Sequence, residues 1–306
     1  MRAADRMLKQ LPMKPLIYAA LLIIVWPLSY PLARLGLHYF SPEGLLAWRL
    51  EAAALVMALY VLHQRFPLPA RADLVRFFAS GMLGVFGFIY FINLASKTLP
   101  AGEVSFLVSI NPLYLVIRNA VTGHEKVTGR VLAGSLVSLA GLAMITLWSG
   151  ALRVDIGMVY ALVSGLSFAC GMVVQKPLFT RYPMAMIGAW LPIMAAIGAL
   201  PLWLLHFHEM PQQTAWQGIG VVLFTAFVGT NAAYLVWAYL NKALTQTQAS
   251  SIIYFLPFSA SLTAVPILGE QMAMTSWIGG AAIVLGSVIT HAKLTRRVTS
   301  GPAQQS

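Results

Sequence analysis

A chain of 306 residues in which 59% are hydrophobic and 9% charged, with a mean hydropathy of +0.76, lies outside the range of a soluble globular domain. Its formal net charge of +11 would fit a nucleic-acid binder if the basic residues formed one folded face. They fall instead in short gaps between apolar runs, which excludes nucleic acid as the expected partner and points to the lipid bilayer.

Crossing about 30 Å of hydrocarbon takes roughly 20 apolar residues in a helix, and ten such runs occur: 15 to 37, 43 to 62, 75 to 96, 101 to 121, 129 to 149, 157 to 178, 184 to 205, 216 to 240, 246 to 267 and 273 to 292. Run length and the missing polar alternation argue for helices over barrel strands. The first run follows Arg2, Arg6, Lys9 and Lys14. It is too long for a cleaved leader and more spans follow, so it reads as a retained span. The single cysteine, Cys170, sits within the sixth run and leaves no disulfide framework or thiolate metal cluster.

Lysine and arginine set the expected orientation. With the N-terminus cytoplasmic, fifteen of them fall in inner segments, and only Lys97 and Arg153 fall in outer ones. Both termini are therefore expected inside, in a multi-pass plasma membrane of the bacterial inner-membrane type. Arg34, Arg49 and Arg118 lie within spans, the first and last near span ends where snorkelling is expected.

The chain also repeats. A shift of 145 residues lays Gly84 on Gly229, Lys97 on Lys242, Leu99 on Leu244, Pro112 on Pro257, Glu125 on Glu270, Gly134 on Gly279 and Gly141 on Gly286. Glycine, proline and glutamate are scarce or structurally special in apolar helices, so chance explains these matches poorly. Five spans per unit make the two units face opposite ways. The predicted fold is all-α: a polytopic membrane protein of ten helices in two inverted five-helix repeats, 15–149 and 157–292, with cytoplasmic tails at 1–14 and 293–306.

The run PEGLLAWRLEAAALVMAL (42 to 59), Trp26 in the first span, Pro112 thirteen residues before Glu125, and the second-half stretch ASSIIYFLPFSASLTAVPILGEQMAMTSWIGGAAIVLGSVI resemble the EamA type of the drug/metabolite transporter superfamily. The resemblance covers roughly residues 15 to 292. The family's Leu-Gly-Glu loop is kept at Leu268, Gly269 and Glu270, whereas the first half has Gly123, His124 and Glu125. The resemblance implies a ten-helix carrier, usually an exporter of small metabolites, with a central cavity between its halves.

Glu125 and Glu270 each sit in a short break between two spans. An acid near a helix N-terminus is favoured by the macrodipole, so a structural role is expected, with a gate or proton site as the alternative. Pro112 and Pro257 are expected to kink helices at equivalent depths and to free backbone carbonyls there. Arg49 lies about 9 Å beyond Glu43 at roughly 1.5 Å per residue, too deep for a flank. It reads as a bidentate clamp for a substrate carboxylate, or else as an internal ion pair, for instance with Glu103, or a snorkel to the outer surface. Glu51 cannot share a helix face with Arg49 and is the candidate for proton coupling.

Polar aromatic and amide groups form candidate pocket stripes: Trp26 with Tyr30, Tyr90 with Asn93, Asn231 with Tyr234 and Trp237, and Ser109, Asn111 and Tyr254 flanking the prolines. Such groups suit zwitterionic or aromatic metabolites when taken as a set, whereas any one alone reads better as helix packing or an interfacial aromatic. No GxxxxGK[ST] loop is present, so direct ATP drive is not expected. His206, His208 and Glu209 are too closely spaced in a loop to specify a metal site. Neither a cofactor nor a catalytic array is expected. Export of amino acids or related compounds by alternating access is the predicted function. An intramembrane enzyme or helical scaffold is the alternative.

Overall fold

The computed structural model describes residues 13–109, 114, 129–147, 155–209, 215–243 and 255–291. Among them every regular element is helical. Helix α1 (Met13–Val25) passes through a 3-10 turn at Trp26–Leu28 into α2 (Ser29–Gly36). Pro27, which has no N–H to give to an α-helical ladder, sits within that turn. Helix α3 (Pro42–His63) starts on Ser41, whose extended backbone and side-chain oxygen, accepting from Gly44 N–H at 2.9 Å, form an N-cap with proline at the next position.

Next come α4 (Arg71–Gly81), a π-helical segment (Met82–Gly87) and α5 (Phe88–Ala95), forming one rod, then α6 (Ala101–Val108) and α7 (Gly129–Leu147). Helix α8 (Ile156–Gln175) is capped by Asp155, which accepts from Gly157 N–H at 2.6 Å. Then follow α9 (Met184–His206), α10 (Ala215–Ala226), a second π-helical segment (Phe227–Ala232) and α11 (Ala233–Ala243). Helix α12 (Leu256–Leu268) ends at Gly269, left-handed at φ 66° with its N–H on the Val265 carbonyl at 2.9 Å. That closure suits glycine because a Cβ there would be strained, and it makes the expected break before α13 (Met274–His291).

Among the described residues six helical segments are long and apolar enough to cross a membrane, and three shorter apolar helices accompany them. The six coincide with the first three and the sixth to eighth predicted spans. Of the predicted spans 101 to 121 and 246 to 267, only residues 101–109, 114 and 255–267 are described. Pro257 stands in the first turn of α12, where its missing N–H breaks no bond of that helix; residues 244–254 before it lie outside the described residues. Pro192 and Pro201 are the prolines inside α9.

The outer surface carries the lipid-facing residues. On α3, Leu55, Leu59 and Leu62 are 66%, 59% and 72% exposed, a stripe that water would penalise and hydrocarbon accepts. Inside, α3 packs most heavily on α9, and α7 on α13. The α7–α13 contact is backbone-close. A carbon added to Gly141 would lie 2.4 Å from the Gly279 carbonyl oxygen, and one added to Gly286 would lie 2.4 Å from that of Gly134. Between them, Ser138 donates to the Ile283 carbonyl at 3.1 Å. Small residues substitute here for the missing hydrophobic drive between helices in lipid.

Candidate functional site

Cavities lie between the helices. One is lined by Trp26, Ser29, Tyr30, Arg49, Ser105, Ser109 and Pro257 among others. A second is lined by Trp26, Gly84, Gln175, Tyr234 and Trp237 among others. Trp26 and Phe168 border both. The 3-10 turn places Trp26, Ser29 and Tyr30 on the first cavity together. The indole of Trp26 lies 6.4 Å from the Tyr234 ring and 6.3 Å from the Trp237 ring, joining the aromatic stripe of α11 to α1.

Arg49 is 5% exposed. Its Nε donates to Thr230 Oγ1 at 3.0 Å and its Nη2 to the Gly229 carbonyl at 3.3 Å, both in the second π-helical segment. The phenols of Tyr30 and Tyr234 are close enough to act on it electrostatically. Among the described residues no carboxylate lies within 4.0 Å of the guanidinium. The expected Arg49–Glu103 pair is not formed in the structure; Glu103 accepts from Ser276 Oγ at 2.7 Å. A lone arginine at bilayer depth costs about 3 kcal/mol on insertion scales, and neutral acceptors return only part of that. The residue 145 positions beyond Arg49 is Met194, an apolar side chain 6% exposed.

The two π-helical segments are themselves 145 residues apart, each six residues long. An inserted residue loosens the i→i−4 ladder and leaves carbonyls open to other donors. Both segments use this in the same way. Tyr234 Oη donates to the Gly84 carbonyl at 2.8 Å, as Arg49 does to Gly229.

Several expected pocket residues are placed elsewhere. Tyr90 donates to Glu43 at 2.8 Å and Asn93 to the Pro42 carbonyl at 3.1 Å, fastening α5 to the start of α3. Asn231 donates to the Ala53 carbonyl at 3.0 Å, fastening the second π-helical segment to α3. None of the three lines either cavity. Glu51 lies on the Leu55–Leu59–Leu62 face, four residues before Leu55, with Oε1 buried and without a hydrogen-bond partner among the described residues. It lines neither cavity. Asn111, Pro112, Glu125 and Tyr254 lie outside the described residues.

Glu270 caps a helix N-terminus, but not that of its own following helix. Its oxygens accept from Ala101 N–H, the first residue of α6, at 3.0 and 3.2 Å. It also pairs with Arg34 at 2.8 Å, and Arg34 donates to the Leu99 carbonyl. Arg34 therefore does not snorkel freely, since the carboxylate and carbonyl hold it. At the same end of the bundle, Glu209 accepts from the Ser41 N–H at 2.9 Å and hydroxyl at 3.0 Å, and sits 2.5 Å from His206 Nδ1. Asp155 accepts from Thr98 Oγ1 at 2.5 Å. Three carboxylates thus tie later segments to residues 34 to 101. At the opposite end Asp73, 2% exposed, accepts from Arg181 at 2.8 Å and Tyr182 at 3.0 Å.

Ser29, Thr230, the Gly229 carbonyl and the Arg34–Glu270 pair are absent from the sequence reading. The shift that aligned Gly84 with Gly229 was the one available signal for the π-helical segments.

The sequence matches the family described as the EamA-like transporter family twice, over residues 13–147 and 155–291. Similar proteins include a probable terminal-alkyne amino-acid exporter of Streptantibioticus cattleyicolor, 24% identical over 93% of this chain and 96% of that protein. A probable amino-acid metabolite efflux pump of Salmonella typhimurium is 23% identical over 89% of this chain and 92% of its own. A solved structure described as "Crystal structure of protein" superposes with a TM-score of 0.63 at 18% identity, covering 90% of this chain and 98% of that one. The chain belongs to the EamA-like transporter family.

Proposed function

We propose that this protein exports small metabolites, amino acids or related compounds, by alternating access through the Arg49 cavity. The observation that carries this is a buried guanidinium, facing a cavity between the helices, with only neutral acceptors within reach among the described residues. A substrate carboxylate would complete its charge balance by a forked pair of hydrogen bonds. Trp26, Tyr30 and Ser109 share the same cavity wall. Tyr234 and Trp237 line the adjoining one, suited to the rest of the substrate. The names of the exporters and efflux pumps above support the same class.

The proposed frame is ten helices in two inverted five-helix repeats. Its support is the double family match, the 145-residue spacing of the π-helical segments, and the reciprocal contacts Gly141–Gly279 and Gly286–Gly134. Reciprocity of that kind is what a twofold relation produces. With both termini cytoplasmic, Glu270, Glu209 and Asp155 lie at the outer end, and their ties must break before the cavity can reach that face. Glu270 then belongs to the closure as well as to the helix cap. Flux down the substrate's own gradient needs no coupling ion.

Counterflow in proteoliposomes tests the proposal. Vesicles loaded with a pool of unlabelled metabolites would be offered labelled amino acids, nucleosides and sugars in turn. Saturable exchange of amino acids, lost in Arg49→Ala vesicles, is the expected result. Folded protein that exchanges no class would overturn it.

A further inference from the structure

Ser29 is 8% exposed, and its Oγ is buried with no hydrogen-bond partner among the described residues. It lines the same cavity as Arg49. A buried hydroxyl without a partner costs about 1–3 kcal/mol, so a residue of this kind at a cavity wall calls for a reason. Its position supplies one. A carbon built on Gly229 would lie 2.2 Å from Ser29 Oγ and 3.5 Å from Arg49 Nη2, so hydroxyl and guanidinium stand side by side over that glycine. Only glycine at 229 lets the Ser29 hydroxyl come this close.

We propose that Ser29 is the second donor of the substrate site, its O–H binding one oxygen of a substrate carboxylate while the Arg49 guanidinium holds the other. The assignment rests on the export reading above and deepens it. The site discriminates for the carboxylate itself, because an uncharged or cationic head group leaves both donors without their acceptor. The local sequence explains why the hydroxyl faces inward. The 3-10 turn at Trp26–Leu28 ends with the Ser29 N–H on the Trp26 and Pro27 carbonyls, and this turn carries Trp26, Ser29 and Tyr30 to one wall. The other serines on that wall are occupied: Ser105 Oγ donates to Gly102 and Pro257 carbonyls, and Ser109 Oγ to that of Ser105.

The test uses purified full-length protein and thermal stabilisation by each of the twenty protein L-amino acids. The best stabiliser is then titrated beside its decarboxylated amine, into wild type, Ser29→Ala and Gly229→Ala. Ser29→Ala should bind the acid about tenfold more weakly and the amine equally well, the loss of one hydrogen bond to a charged group. Gly229→Ala, whose methyl would displace the Ser29 hydroxyl from beside Arg49, should weaken acid binding more strongly and spare the amine. Unchanged acid affinity in Ser29→Ala overturns the assignment, as does an equal loss for acid and amine. Acid binding that depends on Ser29 in a protein that exchanges nothing in vesicles overturns the export reading and leaves the assignment standing. A wild type stabilised by none of the twenty overturns both.

Discussion

Ser138 donates its hydroxyl to the carbonyl of Ile283, the residue 145 positions further along the chain. On the inverted-repeat reading, a residue that touches its own counterpart lies on the axis relating the two halves. Gly141 and Gly286 flank it and permit the approach. Gly286→Val should therefore force α7 and α13 apart at a cost of roughly 1–3 kcal/mol. A fall of several degrees in the unfolding temperature in detergent would register it, and an unchanged temperature would mean that the contact is dispensable.

Arg49 holds two acceptors through two different nitrogens, which a lysine ammonium on a flexible stem cannot reproduce. Arg49→Lys should raise the half-saturating concentration of a carboxylate substrate about tenfold, and Arg49→Gln about a hundredfold, in initial-rate uptake curves. Thr230→Val, which removes only the Nε acceptor, should fall between wild type and Arg49→Lys. Equal curves for all four proteins would remove Arg49 from the transport path.

Breaking the Glu270 tie should favour opening at its end of the bundle. In a Cys170→Ala background carrying Ser109→Cys in the cavity, a membrane-impermeant maleimide added outside should label several-fold faster when Glu270 is changed to Gln. The amide leaves Arg34 without its carboxylate and weakens the hold on Ala101 N–H. Equal labelling rates would confine Glu270 to capping α6.

Glu51 faces the leucine stripe of α3 and not a cavity. Glu51→Gln is expected to leave exchange rates within twofold of wild type between pH 5.5 and 8, roughly the span over which a coupling carboxyl would titrate. A loss of pH dependence confined to this variant would restore it as a proton carrier.

Much of this fold was legible because membrane helices announce themselves by apolar length. The Gly269 break was equally plain, since glycine alone is at ease in a left-handed helix end. Pairings across long separations were not. Nothing local in the sequence tells Arg34 that its partner is Glu270, or Glu103 that Ser276 will satisfy it. Tyr90 and Asn93 share a helical face as their spacing requires, but spacing cannot say whether that face meets a cavity or the start of α3. The π-helical segments leave no periodic trace, because a single inserted residue shifts the register without changing composition. Ser29 escaped notice because a serine in an apolar helix is commonly a packing residue.

The proposed role of Arg49 has a consequence for the cargo. On the inverted-repeat reading, the second half places Met194 where the first places Arg49, so the two halves would not grip a carboxylate alike. On that reading a passenger whose acidic end is held from one flank crosses the bilayer with a fixed heading, its remaining bulk against the aromatic wall of Trp26, Tyr234 and Trp237.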